Sequence, residues 1–362
     1  MIKKKYDVSV VIGRFQPIHK GHESIFHKAL EVADNMVVIF GGYEGDLLRN
    51  LFSHDYRNQM LRTILTKEEN KRTVTFLAND YLYNDDIWKI QIINSLNSNI
   101  FINTLKKDKD KLKYCLVGHD KDSSSFYLKM FPEWEFVGID KFCLDDCTIS
   151  STDIRNSIFN GSTDWEKYCT PSIVDNINSI VTTDPLFISM RERWKYAEDY
   201  KSKTKDMDYP PIYTTVDNLV LMNNKVLLIE RKSKNGKGML ALPGGFLNHN
   251  ELLIDGAIRE LKEETSIHYD SKYLKSKLLY NFPRVFDYPF RSSLGRLITN
   301  VFVYELNDDP DEMIEKGLLK AADDAKSIVT INLDYLMSKY ILLHDDHYSI
   351  CYNLLNSRIC TY

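Results

Sequence analysis

Two kinds of phosphate chemistry are suggested by residue types and spacings in this sequence. The first comes from Gly13-Arg-Phe-Gln-Pro-Ile-His-Lys-Gly-His22, where the apolar run Val8 to Ile12 gives way to a helical pattern from Gly21 to Ala33. A helix start presents unpaired N–H groups and a partial positive charge, which suits an anion. Gly13 lets the backbone approach a phosphate closely, and His19 and His22 set two imidazoles beside it. A lone His near a turn is ordinarily a surface or capping residue. Two of them in H-x-G-H between a buried strand and a helix point to phosphate recognition instead. A second helix start, Ile149-Ser-Ser-Thr-Asp-Ile-Arg155, offers three hydroxyls and a guanidinium one turn inside. By itself it reads equally as plain capping; beside the first motif it can hold a polyphosphate tail.

The second chemistry is acidic. Gly245 and Glu251 precede Arg259-Glu-Leu-Lys-Glu-Glu264 by a fixed spacing. On a helix, Glu260, Glu263 and Glu264 are related by three and four residues and gather on one face. Like charges held that closely repel unless something cationic sits among them, and a hard divalent ion bound by carboxylates meets that need. Leu252, Leu253, Ala257, Ile258 and Leu261 supply an apolar side for packing.

The elements that must position these groups fall into two halves. Val8–Ile12, the helix after Gly21 and Met36–Phe40 have the strand, helix, strand spacing of a parallel sheet. Tyr114–Gly118 reads as another buried strand and Thr152–Phe159 as a helix, so the first half is an open α/β domain. From about Thr182 to Pro211 the composition turns polar and charged. Strand-like runs follow at Thr214–Leu221, Lys225–Glu230, Ser276–Leu279 and Arg296–Glu305, interrupted by a helix over Leu252–Thr265. The expected boundaries are a first domain over 1–185, a linker over 186–210 and an α+β domain over 211–362.

Composition bounds the partners. With 47 Lys and Arg against 51 Asp and Glu, the net charge of −4 gives no global basic field, and nucleic acid is not an expected partner. No stretch approaches the roughly 20 apolar residues that cross a bilayer, so no membrane partner is expected. Six scattered cysteines without a C-x-x-C pair read as reduced thiols, and the expected compartment is the cytoplasm. The oligomeric state stays open, a homo-oligomer included.

GRFQPIHKGH with ISSTDIR resembles the H-x-G-H nucleotidyltransferases, in particular the nicotinamide mononucleotide adenylyltransferases. Asn50-Leu-Phe-Ser with Arg57 is similar to that subgroup's N-P-F-T…R segment, with Leu51 in place of Pro. Asp80-Tyr-Leu-Tyr-Asn84 followed by Trp88 is similar to its nicotinamide-nucleotide segment. This resemblance covers about residues 6 to 180 and implies a Rossmann-like parallel sheet with helices on both faces. It also implies adenylyl transfer from ATP to nicotinamide mononucleotide, giving NAD and pyrophosphate. His19, His22 and Arg155 would be catalytic. Gly13, Arg14, Phe15, Arg57, Ser151 and Thr152 would contact substrate, with Asp80, Asn84 and Trp88 at the pyridine nucleotide. Mg²⁺ would accompany the ATP phosphates.

The acidic segment resembles the Nudix box, G-x5-E-x7-R-E-U-x-E-E-x-G-U with U a bulky aliphatic residue. Gly245, Glu251, Arg259, Glu260, Leu261, Glu263, Glu264 and Ile267 match, and Ser266 stands where the pattern has Gly. The resemblance implies a mixed-sheet α+β Nudix domain, Mg²⁺ or Mn²⁺ on Glu260, Glu263 and Glu264, and Arg259 orienting carboxylates. Glu263 and Glu264 would be catalytic, with the general base open among Glu263 and the later loops. Val285 to Thr299 and Asp323-Asp324-Ala325 are similar to patches of Nudix proteins fused to this adenylyltransferase. Those fusions imply ADP-ribose as substrate, cut to AMP and ribose 5-phosphate, with Arg291 and Arg296 as phosphate or ribose contacts. The alternatives are NADH, capped RNA or an oxidised nucleotide as substrate, or a domain that senses ADP-ribose or NAD without cutting it.

Overall fold

The structure is a computed structural model that describes residues 4–42, 47–98, 101–102, 105, 111–119, 130–140, 143–144, 147–148, 150–338 and 341–359. The chain divides into two compact units, Met1–Arg191 and Glu192–Tyr362.

In the first unit, β1 (Tyr6–Gly13), β2 (Ala33–Gly42), β3 (Thr73–Asn79), β4 (Tyr114–Gly118) and β5 (Glu135–Gly138) form one sheet in the order β3-β2-β1-β4-β5. All four pairings are parallel. The crossover from β1 to β2 is α1 (Lys20–Val32), which buries Ile25, Phe26, Ala29 and Leu30 at helical spacing. Val8, Val10, Val37 and Ile39 are fully buried, as the near-continuous apolar runs require of strands covered on both faces. The strand order reverses between β1 and β4, the point at which open parallel sheets bind ligands beyond their strand ends. Gly13 stands at that end of β1. β6 (Cys143–Leu144) and β7 (Cys147–Thr148) form a separate short antiparallel pair. Further helices are α2 (His54–Ile64), α3 (Lys67–Lys71), α4 (Asp85–Leu96), α5 (Ser151–Asn160) and α6 (Pro171–Thr183).

The segment expected as a linker is largely helix. In α7 (Pro185–Ser202), Phe187, Met190, Arg193 and Ala197 are buried, an apolar spacing that the surrounding charges hide in the sequence. The division between the units falls inside this helix, after Arg191.

The second unit is built on β8 (Tyr213–Met222) in a mixed sheet with β9 (Lys225–Arg231), β10 (Leu240–Ala241), β11 (Gly244–Phe246), β12 (Arg284–Phe286), β13 (Leu297–Leu306) and β14 (Ala325–Asn332). β8 runs parallel to β13 and antiparallel to β9 and β11. α8 (Leu253–Thr265) packs Ala257, Ile258 and Leu261 on Val216, Val220, Phe302 and Tyr304. Asn218 fixes it there, its amide donating to the carbonyls of Ala257 at 2.9 Å and Pro243 at 3.1 Å. The strand expected over Ser276–Leu279 is instead the end of a short helix, Ser271–Ser276, capped by Asp270; only Leu278 bridges, to Tyr304. Among the described residues no helix is long and apolar enough to cross a membrane.

Candidate active sites

The two phosphate motifs of the first unit, separated by some 130 residues in sequence, are hydrogen-bonded together. Arg155, buried in the first turns of α5, donates from Nη1 to the Gln16 carbonyl at 2.6 Å and from Nη2 to the Thr152 hydroxyl at 3.1 Å. The Ser151 hydroxyl donates to the Pro17 carbonyl at 3.1 Å. The start of α5 itself is a capping box between Ser150 and Asp153, so Ser151 and Thr152 are not spent on capping. Ile149 lies outside the described residues.

His19 caps α1. Its Nδ1 accepts the Gly21 N–H at 3.1 Å, so a neutral ring carries its proton on Nε2 and donates from there. The His22 ring lies 3.8 Å from that of His19, centre to centre. Phe15, expected as a substrate contact, is buried and packs edge-on against His22 at 4.9 Å, against Phe26 at 5.2 Å and against Phe40 at 5.7 Å. Its side chain props the histidine, and only its backbone is left for a ligand. Gly13 is required by the same fold: a Cβ there would stand 2.7 Å from the Phe15 ring.

Arg57 also differs from expectation. It is buried, and Nη1 donates to the carbonyls of Arg14 at 2.7 Å and Gly41 at 2.6 Å, so it clamps the loop to the end of β2. Arg14 pairs with Asp80 at 3.0 Å, joining the ends of β1 and β3. The Asn84 side-chain Oδ1 caps α4 by accepting the Ile87 N–H at 3.2 Å, and Trp88 stands half-buried one turn on. One residue the sequence reading missed is Gln16. Its buried amide makes both bonds to the Phe52 backbone, 2.8 Å to the carbonyl and 2.7 Å from the N–H. A polar side chain within an otherwise apolar turn was the available signal.

In the second unit Arg259 gathers the acidic residues. Nε and Nη2 form a two-point pair with Glu251 at 3.0 and 2.7 Å, and Nη1 bridges Glu260 and Glu263, each at 2.8 Å. That guanidinium pulls the Glu251 carboxyl down to about 2. Glu264 is turned the other way: it is buried, accepts the Gly244 N–H at 2.8 Å, and burial pushes its carboxyl up to about 8. Burial also raises Glu260. Among the described residues no three His, Cys, Asp or Glu side chains stand together so as to hold a metal ion; Arg259 ties up Glu260 and Glu263, and the Gly244 N–H binds Glu264. The donor set nonetheless fits a hard divalent cation: all oxygen, partly buried, and with Gly245 leaving open the space where a Cβ would stand 2.6 Å from Glu260. Ser266 takes the left-handed conformation that the box gives to Gly, with φ 47°.

Arg291, expected to reach substrate, is buried in a two-point ion pair with Asp346, at 3.0 and 2.8 Å. That pair consumes the fork it would offer a phosphate. Arg296 is half-buried and donates to the Asp287 carbonyl.

The Cytidylyltransferase-like family matches residues 10–157 and the NUDIX domain family residues 213–328. A nicotinamide/nicotinic acid mononucleotide adenylyltransferase of Acinetobacter baylyi is 30% identical over 158 residues, 43% of this chain and 78% of that protein. An ADP-ribose pyrophosphatase of Methanocaldococcus jannaschii is 36% identical over 121 residues, 33% of this chain and 62% of that protein. A crystal structure of a bifunctional NMN adenylyltransferase/ADP ribose pyrophosphatase from Francisella tularensis, complexed with AMP and a manganese ion, is 30% identical. It superposes with a TM-score of 0.81 over 97% of this chain and 99% of that one. With both motif sets in place and both units matched end to end, the chain belongs to the family of bifunctional NMN adenylyltransferase/ADP-ribose pyrophosphatases.

Proposed function

We propose that the protein joins two reactions of NAD metabolism on one chain, in the cytoplasm. The first unit transfers an adenylyl group from ATP to nicotinamide mononucleotide. The second hydrolyses ADP-ribose to AMP and ribose 5-phosphate. The observation that carries this reading is the end-to-end match to the Francisella enzyme, with the motif residues of both units present.

In the first reaction a phosphate oxygen of nicotinamide mononucleotide attacks the α-phosphorus of ATP, and pyrophosphate leaves. The nucleophile is already an anion, so the protein's task is positioning and charge stabilisation. His19 Nε2 donates to a phosphate oxygen at the start of α1, and His22, its ring centre 3.8 Å away and tilted to it, supplies a second imidazole there. Arg155, aimed by the Gln16 carbonyl, holds the departing pyrophosphate together with Ser151 and Thr152. Trp88 offers a flat face to the cationic pyridine ring.

In the second reaction Glu260, Glu263 and Glu264 hold the divalent ion, Mg²⁺ or Mn²⁺. When bound, that ion neutralises diphosphate charge and activates water near neutral pH. Arg259 keeps Glu251 and Glu260 oriented, and Glu263, the most exposed of the three glutamates, is placed to take up a proton.

The test is one purified protein assayed with ATP plus nicotinamide mononucleotide and, separately, with ADP-ribose, each with and without Mg²⁺. Both activities are expected, and the second should vanish on chelation. A hydrolase that prefers NADH, capped RNA or an oxidised nucleotide, or that binds ADP-ribose without cutting it, overturns the substrate assignment.

A further inference from the structure

Behind the glutamate helix lies a set of buried charged groups that neither reaction uses. His344, Asp345, Asp346 and His347 are consecutive and all buried, at the start of the helix His347–Ile359. Asp345 has its own cation, Arg193, at 2.6 Å. Asp346 takes the two-point pair with Arg291. Asp217 of β8, only 5% exposed, accepts a hydrogen bond from the Thr299 hydroxyl and stands 4.0 Å from the same Arg291.

His347 does not supply the balancing charge. Its Nδ1 accepts the Leu242 N–H at 2.9 Å, which leaves the proton of a neutral ring on Nε2, facing Asp217 at 3.8 Å. Burial lowers the His347 pKa and keeps that ring neutral. Two buried carboxylates, Asp217 and Asp346, face one guanidinium: Arg291 Nη2 stands 4.0 Å from Asp217 and 2.8 Å from Asp346.

Asp217 lies next to the hydrolase glutamates. Asp217 is paired in register with Gly244, and a Cβ on Gly244 would stand 2.6 Å from Asp217 Oδ1. The N–H of that same glycine holds Glu264. A buried carboxylate that close to the glutamate site attracts a cation there by Coulomb's law, in surroundings that screen it less than water does.

We propose that Asp217 is a positioning residue of the hydrolase: its buried carboxylate, held by Thr299 behind Gly244, deepens the negative potential at Glu260 and Glu264 and tightens the binding of the divalent cation. The inference rests on the reading of those glutamates as the cation site. Asp217 touches neither substrate nor the reacting atoms.

The experiment uses the full chain stripped of metal. Mn²⁺ binding is followed by electron paramagnetic resonance, and thermal unfolding is recorded without metal and with saturating Mn²⁺. Wild type should bind Mn²⁺, and Glu264→Gln should lose most of that binding; if wild type does not bind, the cation reading itself fails. Asp217→Asn removes the charge and keeps the shape. It should weaken Mn²⁺ binding by about tenfold, leave the metal-free melting temperature equal or higher, and shrink the rise that Mn²⁺ gives. Asp217→Glu, which restores the charge, should recover most of the affinity. Asp217→Ser, smaller and also neutral, repeats the measurement if the Asn amide does not fit beside Arg291. Unchanged Mn²⁺ affinity with a lowered metal-free melting temperature overturns the proposal in favour of a packing role. So does failure of both neutral variants to fold.

Discussion

The two sites hold phosphate by opposite means, and each is assembled differently. In the first unit the donors are cationic or neutral, and tertiary hydrogen bonds join them: Arg155 to Gln16, Ser151 to Pro17, Arg57 to Arg14 and Gly41. In the second unit nearly all the chemistry sits on one helix and the turn before it, and its acids outnumber its cations. The first site is pre-set by the fold; the second, on the proposed reading, is completed by a bound cation. A pre-set site should fail when its scaffold loosens, an incomplete one when its charge count changes.

The largest expected effect is a clean separation. His22→Ala should abolish NAD synthesis and spare ADP-ribose hydrolysis, while Glu264→Gln should lower hydrolysis by roughly 10²-fold or more and spare synthesis. Loss of both activities in either folded variant breaks the comparison. Next, Gln16→Ala leaves the buried Phe52 backbone without its two bonds, which should cost the first unit about 2–4 kcal/mol in denaturant unfolding. The second unit's transition should stay in place.

The third prediction concerns pH in the metal-free protein. Glu264, raised to about 8 against an ordinary 4.5, is favoured in its protonated form by the fold. Its contribution is therefore greatest below about pH 4.5 and is lost as pH rises toward 8. Glu251, lowered to about 2, behaves oppositely, stabilising above pH 4.5 and losing that as pH falls toward 2. Melting temperatures in chelator should thus rise on Glu264→Gln at pH 8 and show little change at pH 5. Saturating metal should erase the pH 8 difference or reverse it. Equal shifts at both pH values would falsify the assignment of Glu264 as a carboxyl held uncharged by burial.

The smallest effect tests the one departure from the Nudix pattern. Ser266 closes α8 at a positive φ, where a Cβ is strained, and Ser266→Gly should stabilise the second unit by about 1 kcal/mol. The hydrolysis rate should not change, because Ser266 carries no ligand.

Much of both sites was legible because it is local. The run from Gly13 to His22 places its histidines at a strand–helix junction through chain connectivity alone, and Glu260, Glu263 and Glu264 share a face by helical geometry. The errors fell where a side chain's partner is distant in sequence. Arg291 reads as a phosphate or ribose contact until Asp346 is found, 55 residues on, in a two-point pair with it. Arg57 and Phe15 read as ligand contacts because the motif contains them, yet the fold spends them on clamping and packing. The strand expected over Ser276–Leu279 lost to a capping signal, Asp270, that local apolar content does not reveal.

The sequence alone determined two domains, a parallel sheet with a phosphate-binding helix start in one, and a glutamate helix suited to a divalent cation in the other. Those conclusions rest on periods of two and 3.6 residues and on residue chemistry, which neighbouring positions fix. Only the tertiary structure decided that Arg155 is aimed by Gln16, that the polar segment after Pro185 is a partly buried helix, and that Asp217 lies buried behind Gly244. Hydrogen bonds and ion pairs in a desolvated interior depend on which surfaces meet, and no local spacing encodes that meeting.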